Sequence, residues 1–345
     1  MKRNTKSIFR LIGVILLLFL LLNYQLIWYG LSQGAGQLKI LWKAQPVREY
    51  LSDPSVDSSL KAKLRLVEEI RRFAFDSLGL KYSDNYTTVY DQKGKEVLWV
   101  VTACEPFKLK AKTWNFPFIG SFSYKGFFNE KKALELQKKL KMEGYDTNVR
   151  NAGGWSTLGW FKDPVMSGML KYDEGDLAEI IIHELTHGTL FVRDSLKFNE
   201  NLASFTGEKG AQLFLKYKYG ADSKILKDYR DKLEDEKLLT NHILRGAAYL
   251  DSLYDHMDQQ LPVEDKELLK REAIDSIIYS ADTLHLHNRD KYVKWLRNLH
   301  PNNTFFMSYM RYRGNLDTLE RDLQYKYKGR VALMIEDYKR KYGKK

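Results

Sequence analysis

The pentapeptide His-Glu-Leu-Thr-His at residues 183–187 places the strictest condition on how this 345-residue chain can fold. It lies within an apolar run, which is typical of a buried helix. On a helix, residues four apart are separated by 400°, so His183 and His187 project from the same face about 6 Å apart. Glu184 lies about 100° around the helix from His183 and therefore leans beside that pair.

These three side chains are suited to hold and use a zinc ion. Imidazole nitrogens bind Zn²⁺ at about 2.0–2.1 Å, and zinc lowers the pKa of a bound water to about 7. The alternative is an ordinary core that buries two histidines and a glutamate, which loses hydration free energy without compensation. We therefore predict one Zn²⁺ per chain, bound by His183 and His187, with Glu184 as the catalytic base.

A catalytic zinc needs a third protein ligand and one open position. Glu200 lies thirteen residues after His187, and the pattern predicts a turn followed by a second amphipathic helix that starts near Asn199. Such a helix hairpin returns Glu200 to the histidines, so we predict it to be the third ligand; an exposed first-turn glutamate is the alternative. Asn199 is expected to cap this helix. Asp194 and Glu208 are candidates for carboxylates that orient a ligand histidine, although a solvated charge is the favoured interpretation for each of them.

The N-terminal segment predicts a membrane anchor. No charged residue occurs between Arg10 and Lys39, and residues 11–31 supply the roughly 20 apolar positions that a spanning helix needs. Basic residues precede this run, which favours a cytoplasmic start. We therefore predict a single-pass protein of the cell membrane with its catalytic domain on the periplasmic side. A cleaved signal peptide is the alternative, because residues 11–22 also fit its apolar region.

The net charge of +12 comes from the two ends of the chain. Seven basic residues precede the first acidic residue, Glu49, and five follow Asp337, so residues 49–338 are neutral. A duplex-binding domain normally carries a basic stripe in its folded body. We therefore expect no nucleic-acid partner. The single cysteine, Cys104, cannot form an internal disulfide.

Hydrophobic periodicity predicts an α+β fold, because strand-like segments precede a long helical region. The sheet is expected to be mixed or antiparallel, and a helix hairpin carries the active site. The predicted elements are a helix over 54–78, strands within 84–128, a helix over 129–143, and short strands at 146–150 and 156–161. The predicted parts are an anchor or signal sequence at 1–31 and a metallopeptidase domain at 32–345, α+β over 32–172 and helical over 173–345.

Several segments resemble the bacterial putative aminopeptidase family, a group of zinc metallopeptidases with a zincin-like, gluzincin-type site. The resemblance implies zinc on the two histidines of the pentapeptide and on Glu200, with Glu184 as base. It is clearest over residues 38–215. Relatives often carry cysteine where this chain has Asn115 and Ser121. The matching segments are Ala111–Trp114, Phe116–Pro117, Ser123–Phe128, Gly144–Asp146, Ser156–Pro164, His183–His187 and Phe198–Glu200.

A strand-like segment about twenty residues before His183 is a candidate for peptide binding. Zincin-like proteases usually bind extended peptide along an edge strand just before the active-site helix, and a glycine allows close backbone approach. An ordinary strand with its leucine and tryptophan in the core is the alternative. The predicted substrate-binding residues are Thr157, Leu158, Gly159 and Trp160.

Together these features predict a zinc-dependent peptidase that acts on peptides, and the resemblance implies an aminopeptidase. A zinc endopeptidase and a non-catalytic, zinc-stabilised envelope protein are the alternatives. Glu184 discriminates, because a structural zinc site favours four protein ligands and has no use for a base. Tyr309, Arg311 and Tyr312 are candidates for an oxyanion donor, although packing is the favoured interpretation for each of them.

Overall fold

Helices make up most of this molecule. The computed structural model describes the chain apart from residues 1–8, 12, 15–16, 19, 117–119, 152–161, 314–315 and 344–345. The helices are α1 (Tyr24–Lys43), α2 (Val47–Ser52), α3 (Ser58–Leu78), α4 (Glu130–Met142), α5 (Glu174–Thr189), α6 (Leu196–Tyr219), α7 (Lys224–His256), α8 (Val263–Ser280), α9 (Arg289–Arg297), α10 (Asn303–Tyr312), α11 (Leu316–Tyr325) and α12 (Val331–Tyr342). The strands are β1 (Gln45–Pro46), β2 (Thr88–Tyr90), β3 (Trp99–Cys104), β4 (Trp114–Phe116), β5 (Gly120–Phe122), β6 (Lys125–Phe127), β7 (Asp146–Asn151) and β8 (Val165–Met166).

The described strands form three small sheets instead of the single sheet that the sequence predicts. β2 pairs antiparallel with β1 and parallel with β8, and β3 pairs antiparallel with both β6 and β7. β4 and β5 form a hairpin in which Asn115 lies opposite Ser121, and the Ser121 hydroxyl donates to Asn115 Oδ1 at 2.6 Å. A hydrogen-bonded polar pair thus links these two opposite positions of β4 and β5.

The main hydrophobic core lies around α3, α5 and α6. α3 lies inside the predicted range 54–78; the Asp57 carboxylate caps its N-terminus, and Gly79 ends it with a φ of +68°. α5 buries Ile181 and Ile182 completely. Since these apolar positions recur at helical spacing, their burial fixes how each helix is rotated about its own axis.

A second hydrophobic cluster joins the distal part of α7 to α8, α9 and α10. Asn303, at the start of α10, holds this cluster to the strands. Its side chain accepts a hydrogen bond from the Tyr254 hydroxyl at 2.8 Å and donates to the Glu105 carbonyl at 2.9 Å, while its backbone N–H donates to Asp146 Oδ2 at 2.9 Å. As a result, α10 contacts α6, α7, β3 and β7 at once.

The predicted transmembrane helix is wrong. Of the helices in the described part of the chain, none is long and apolar enough to cross a membrane. The single-pass anchor, the membrane partner and the periplasmic location therefore lose their basis. The last part of the predicted anchor lies in α1, which contacts the strands. The Tyr29 hydroxyl donates to the Gly126 carbonyl at 2.9 Å, and its ring packs against Phe116 and Phe127. A residue of the predicted anchor thus packs on the protein itself.

Candidate metal centre

Helix α5 carries the pentapeptide with its apolar face in the core. Asp173 precedes its first turn, where Glu174 and Asp176 lie at the positive end of the helix dipole. Because Ile181 and Leu185 are buried on the core side, the rotation of α5 is set. His183, Glu184 and His187 accordingly occupy the remaining, less apolar positions.

The connection from α5 to α6 brings Glu200 to the histidines. α6 begins at Leu196, earlier than the predicted start near Asn199, so Asn199 lies inside the helix and does not cap it. Its side-chain oxygen accepts a hydrogen bond from the Val192 N–H at 2.8 Å, and its amide donates to the Val192 carbonyl at 2.7 Å. This two-way contact holds the loop against α6 immediately before Glu200.

Gly207 allows α5 and α6 to approach closely. A Cβ atom at this position would lie 2.8 Å from the Glu179 carbonyl oxygen and 3.3 Å from the Cβ of His183. Real side chains avoid contacts this short, so any larger residue pushes the helices apart. Among its neighbours in α6, Gly210 has a similar role, since its Cβ would meet Ile182.

Three ligand atoms converge between the two helices. The Nε2 atoms of His183 and His187 are 3.2 Å apart, and Glu200 Oε2 lies 3.6 Å from the first and 3.5 Å from the second. His187 and Glu200 are buried, whereas His183 is half-buried. The structure thus brings together the three residues that the sequence predicts as ligands.

The geometry of these atoms fits a zinc ion. Ligands at about 2.0–2.1 Å from a tetrahedral Zn²⁺ are separated from one another by about 3.3 Å, close to the three distances observed. Two imidazole nitrogens and one carboxylate oxygen are ligands that zinc accepts, whereas Ca²⁺ and Mg²⁺ prefer oxygen alone. Three ligands leave a tetrahedral ion one position open, as a catalytic site requires.

The electrostatics of the triad also favour a cation. Burial acts to raise the pKa of the Glu200 carboxyl, but hydrogen bonds with His183 and His187 lower it well below its usual range. Burial acts to lower the pKa of His183, and its hydrogen bond with Glu200 and the nearby charge of Glu184 raise it overall. Negative charge therefore persists at this buried position, and it calls for a proton or a metal ion beside it.

Glu184 lies outside the ligand triad, and its charge acts on three tyrosines. Burial raises the pKa of Tyr124 and of Tyr312, and the charges of Glu200 and Glu184 raise both further. Tyr86 is fully buried, its hydroxyl has no hydrogen-bond partner among the residues that the structure describes, and the charge of Glu184 also acts on it. Sequence reasoning missed Tyr86 and Tyr124, because they are distant in the chain from the pentapeptide and carry no local motif.

Other residues considered at the sequence level lie elsewhere. Asp194 Oδ1 accepts a hydrogen bond from the Ser121 N–H at 3.0 Å, and the Glu208 carboxylate accepts one from Arg313. Both carboxylates are thus bound to groups other than a ligand histidine. The Arg311 carbonyl accepts a hydrogen bond from Asn201, next to Glu200, and Tyr312 is within electrostatic reach of Glu200. The predicted substrate-binding residues lie outside the described part of the chain: Thr157, Leu158, Gly159 and Trp160.

A second polar cluster, which is half-buried and which we name the ionic network, also joins α5 to α6 and α7. Arg313 contacts Glu208 and Glu236, each at 3.0 Å, and Lys232 contacts Glu236 at 3.3 Å and Glu179 at 3.5 Å. Burial raises the pKa of Glu208 to about 7, against the opposing effect of Arg313. Because its members come from four separate segments, no local sequence pattern predicts this network.

Comparison with known proteins gives one result. Residues 28–340 match a family model that is described as putative aminopeptidase. The match covers most of the chain and includes the pentapeptide, Glu200 and α10. Neither a curated protein nor a solved structure matches the chain.

Proposed function

Because this chain belongs to the putative aminopeptidase family, we propose that it is a zinc-dependent aminopeptidase with a gluzincin-type centre. His183, His187 and Glu200 are the proposed ligands. The observation that carries the proposal is the convergence of their three ligand atoms within 4.8 Å of one another. The match in spacing between these atoms and the ligands of a tetrahedral zinc site supports zinc as the metal.

Glu184 is the proposed general base. A bound zinc ion supplies Lewis-acid polarisation of the peptide carbonyl and lowers the pKa of a coordinated water. The Glu184 carboxylate accepts the proton of the attacking water and then donates it to the amine nitrogen as the C–N bond breaks. Its position next to His183 on a rigid, buried helix supports this role, because a base must lie within hydrogen-bond reach of the proton that it accepts.

The proposal of exopeptidase specificity depends on family membership, whereas the proposal of hydrolysis depends on the candidate metal centre. The geometry of two histidines, a glutamate and a base favours water attack on a carbonyl. It does not distinguish the end of a peptide from its middle. Hydrolysis of amino-acyl amides should therefore be compared with hydrolysis of N-blocked peptides. Cleavage of free-amine substrates alone supports an aminopeptidase, and cleavage of blocked peptides alone contradicts it.

Substitution of Glu184 tests the hydrolytic mechanism. We expect Glu184→Gln to keep the fold and the zinc content but to lose about 10²–10⁴ of kcat, because general-base catalysis contributes that much. Glu135→Gln is the matched control, since Glu135 is exposed on α4. Metal analysis and kcat should be measured on both variants. Full activity of Glu184→Gln would show that another group is the base.

A further inference from the structure

The C-terminal end of α10 is fastened to the helix segment that carries Glu200. The Asn201 side-chain amide donates a buried hydrogen bond to the Arg311 carbonyl at 2.6 Å and another to the Lys197 carbonyl at 2.7 Å. Asn201 directly follows Glu200 in the chain, and Tyr312 directly follows Arg311. This bond therefore joins the end of α10 to the helix segment directly next to Glu200.

Arg311 is a buried cation without a carboxylate partner. It is 7% exposed, and its guanidinium carbon lies 5.9 Å from the ring centre of Tyr124 and 5.8 Å from that of Tyr312. Its side chain donates one long hydrogen bond, 3.4 Å, to the Ser123 carbonyl. Among the described residues it forms no ion pair. Buried charges in proteins are normally paired, so this arrangement needs an explanation.

Arg150 adds a second cation at the same place. Its guanidinium donates to the Tyr312 hydroxyl and to the Asn151 carbonyl, each at 3.4 Å. Arg150 is exposed at the end of β7, and in the described part of the chain no carboxylate pairs with it. Two arginines thus flank one tyrosine, and the phenol of that tyrosine is within electrostatic reach of both Glu184 and Glu200.

Arg313 shows that the same segment pairs its arginines where pairing serves stability. Two residues after Arg311, its guanidinium contacts Glu208 and Glu236 at 3.0 Å each. Among the described residues, neither Arg311 nor Arg150 reaches a carboxylate in this way. A guanidinium has five N–H donors in a fork that matches a carboxylate, so a ligand carboxylate would satisfy both groups.

We propose that Arg311 and Arg150 form a carboxylate-binding subsite beside the metal centre, which gives preference to substrates that carry a carboxylate next to the scissile bond. This inference rests on the proposed peptidase function. Two guanidinium groups repel a free amine, so the carboxylate belongs to the residue after the scissile bond. The C-terminal carboxylate of a dipeptide and the side chain of a following aspartate or glutamate share this chemistry.

Binding to an inactive zinc-loaded protein tests the subsite directly. The Glu184→Gln variant is titrated by calorimetry with Leu-Gly, Leu-Gly amide, Leu-Asp amide and Leu-Asn amide. We expect a carboxylate ligand to bind about tenfold more tightly than its neutral counterpart, because charge-assisted hydrogen bonds are about twice as strong as neutral ones. A preference for Leu-Gly identifies the terminal carboxylate, and a preference for Leu-Asp amide identifies the side chain.

Added substitutions assign the preference to the arginines. Arg150→Gln, at an exposed position that does not endanger folding, should reduce the preference to less than about threefold. Arg271→Gln is the matched control, because Arg271 is an exposed arginine on α8, which packs away from α5 and α6. Arg311→Gln should have the same effect as Arg150→Gln, provided that its circular dichroism matches that of the parent.

The outcomes separate the subsite from the proposed function. Equal affinities within both ligand pairs, an unchanged preference in Arg150→Gln, or no binding of any of the four ligands overturns the subsite. Wild-type protein that hydrolyses the two members of each ligand pair with equal kcat/KM keeps the peptidase function and overturns the subsite. A protein that prefers the carboxylate ligands yet hydrolyses none of them keeps the subsite and contradicts the peptidase function.

Discussion

The ionic network and the candidate metal centre are both polar clusters that join α5 to α6; the first is half-buried, and the second contains the buried His187 and Glu200. In the network, cations of the chain meet carboxylates of the chain: Arg313 binds Glu208 and Glu236, and Lys232 binds Glu179. In the metal centre, the carboxylate of Glu200 meets only two imidazoles, and among the described residues no lysine or arginine pairs with it. The cations and carboxylates of the first cluster pair with one another, whereas the second would be completed by the proposed metal ion.

This difference predicts separate roles for the ionic network and the candidate metal centre. A complete cluster contributes to stability and is damaged by the loss of either partner, since the remaining charge is then buried alone. An incomplete cluster contributes to stability chiefly when its ligand is bound. Substitutions in the two clusters should therefore separate the free energy of unfolding from zinc affinity.

The largest effect is expected from loss of a zinc ligand. His183→Ala should reduce zinc affinity by more than about 100-fold, which exceeds the loss seen when only the surroundings of a ligand are changed. Hydrolysis should fall by about four orders of magnitude or more, because zinc is needed to activate the water and to polarise the carbonyl. Chelator competition measures the affinity. The control is Glu135→Gln, and unchanged zinc affinity in His183→Ala would refute the ligand assignment.

Breaking the ionic network should affect stability instead. Arg313→Met leaves the half-buried Glu208 and Glu236 without their cation, so the free energy of unfolding should fall by about 2–3 kcal/mol. Zinc affinity should stay within about twofold of wild type, because Arg313 contacts no ligand of the metal. Urea unfolding of the zinc-free protein measures the first quantity, with Arg271→Met as control. A loss of zinc affinity with unchanged stability would reverse the two roles.

The pH dependence of stability should report on Glu208. Folding raises its pKa from 4.5 to about 7, mainly through burial. The folded state thus binds this proton more tightly than the unfolded state. The stability that the protonated Glu208 contributes is therefore greatest below about pH 4.5 and is lost as the pH rises through 7. As the pH rises from 5 to 8, the free energy of unfolding of Glu208→Gln should rise relative to that of wild type by up to about 3 kcal/mol, because only wild type loses this proton. A pH-independent difference between the two proteins would contradict the shift.

A smaller effect is expected where α5 and α6 touch. Gly207→Ala places a methyl group 2.8 Å from the Glu179 carbonyl, so the free energy of unfolding should fall by about 2 kcal/mol, as for other overpacked sites. Gly188→Ala is the control, because nothing lies within 4 Å of a Cβ atom there. Thermal melts of both variants measure the difference. Equal melting temperatures would show that the helices can separate without cost.

Much of the local structure follows from the sequence. α3 and α4 lie within the predicted helices, and the strands β3 and β7 fall at the predicted runs, because burial of one face imposes a period of 3.6 or 2 residues. The pairing of strands into three sheets does not follow, since several short strands can pair in more than one order. The membrane prediction failed because hydropathy alone does not distinguish a lipid-facing aromatic residue from one that packs on protein, as Tyr29 does.

The candidate site divides in the same way. His183, Glu184 and His187 are neighbours on one helix, so their spacing alone predicts their common face. The prediction of Glu200 as a ligand depends on a helix hairpin. The sequence pattern does not predict the two hydrogen bonds between Asn199 and Val192 that shape this hairpin. Side-chain hydrogen bonds across a loop depend on backbone geometry that a sequence pattern does not specify.

By itself, the sequence determined the helix of the pentapeptide, the chemistry of its side chains and the family to which the chain belongs. Only the tertiary structure decided which distant groups surround that helix: Glu200 across the hairpin, the tyrosines, and the arginines at the end of α10 and β7. The physical reason is that helical periodicity acts over a few residues, whereas these contacts join segments that only the packing of the core brings together.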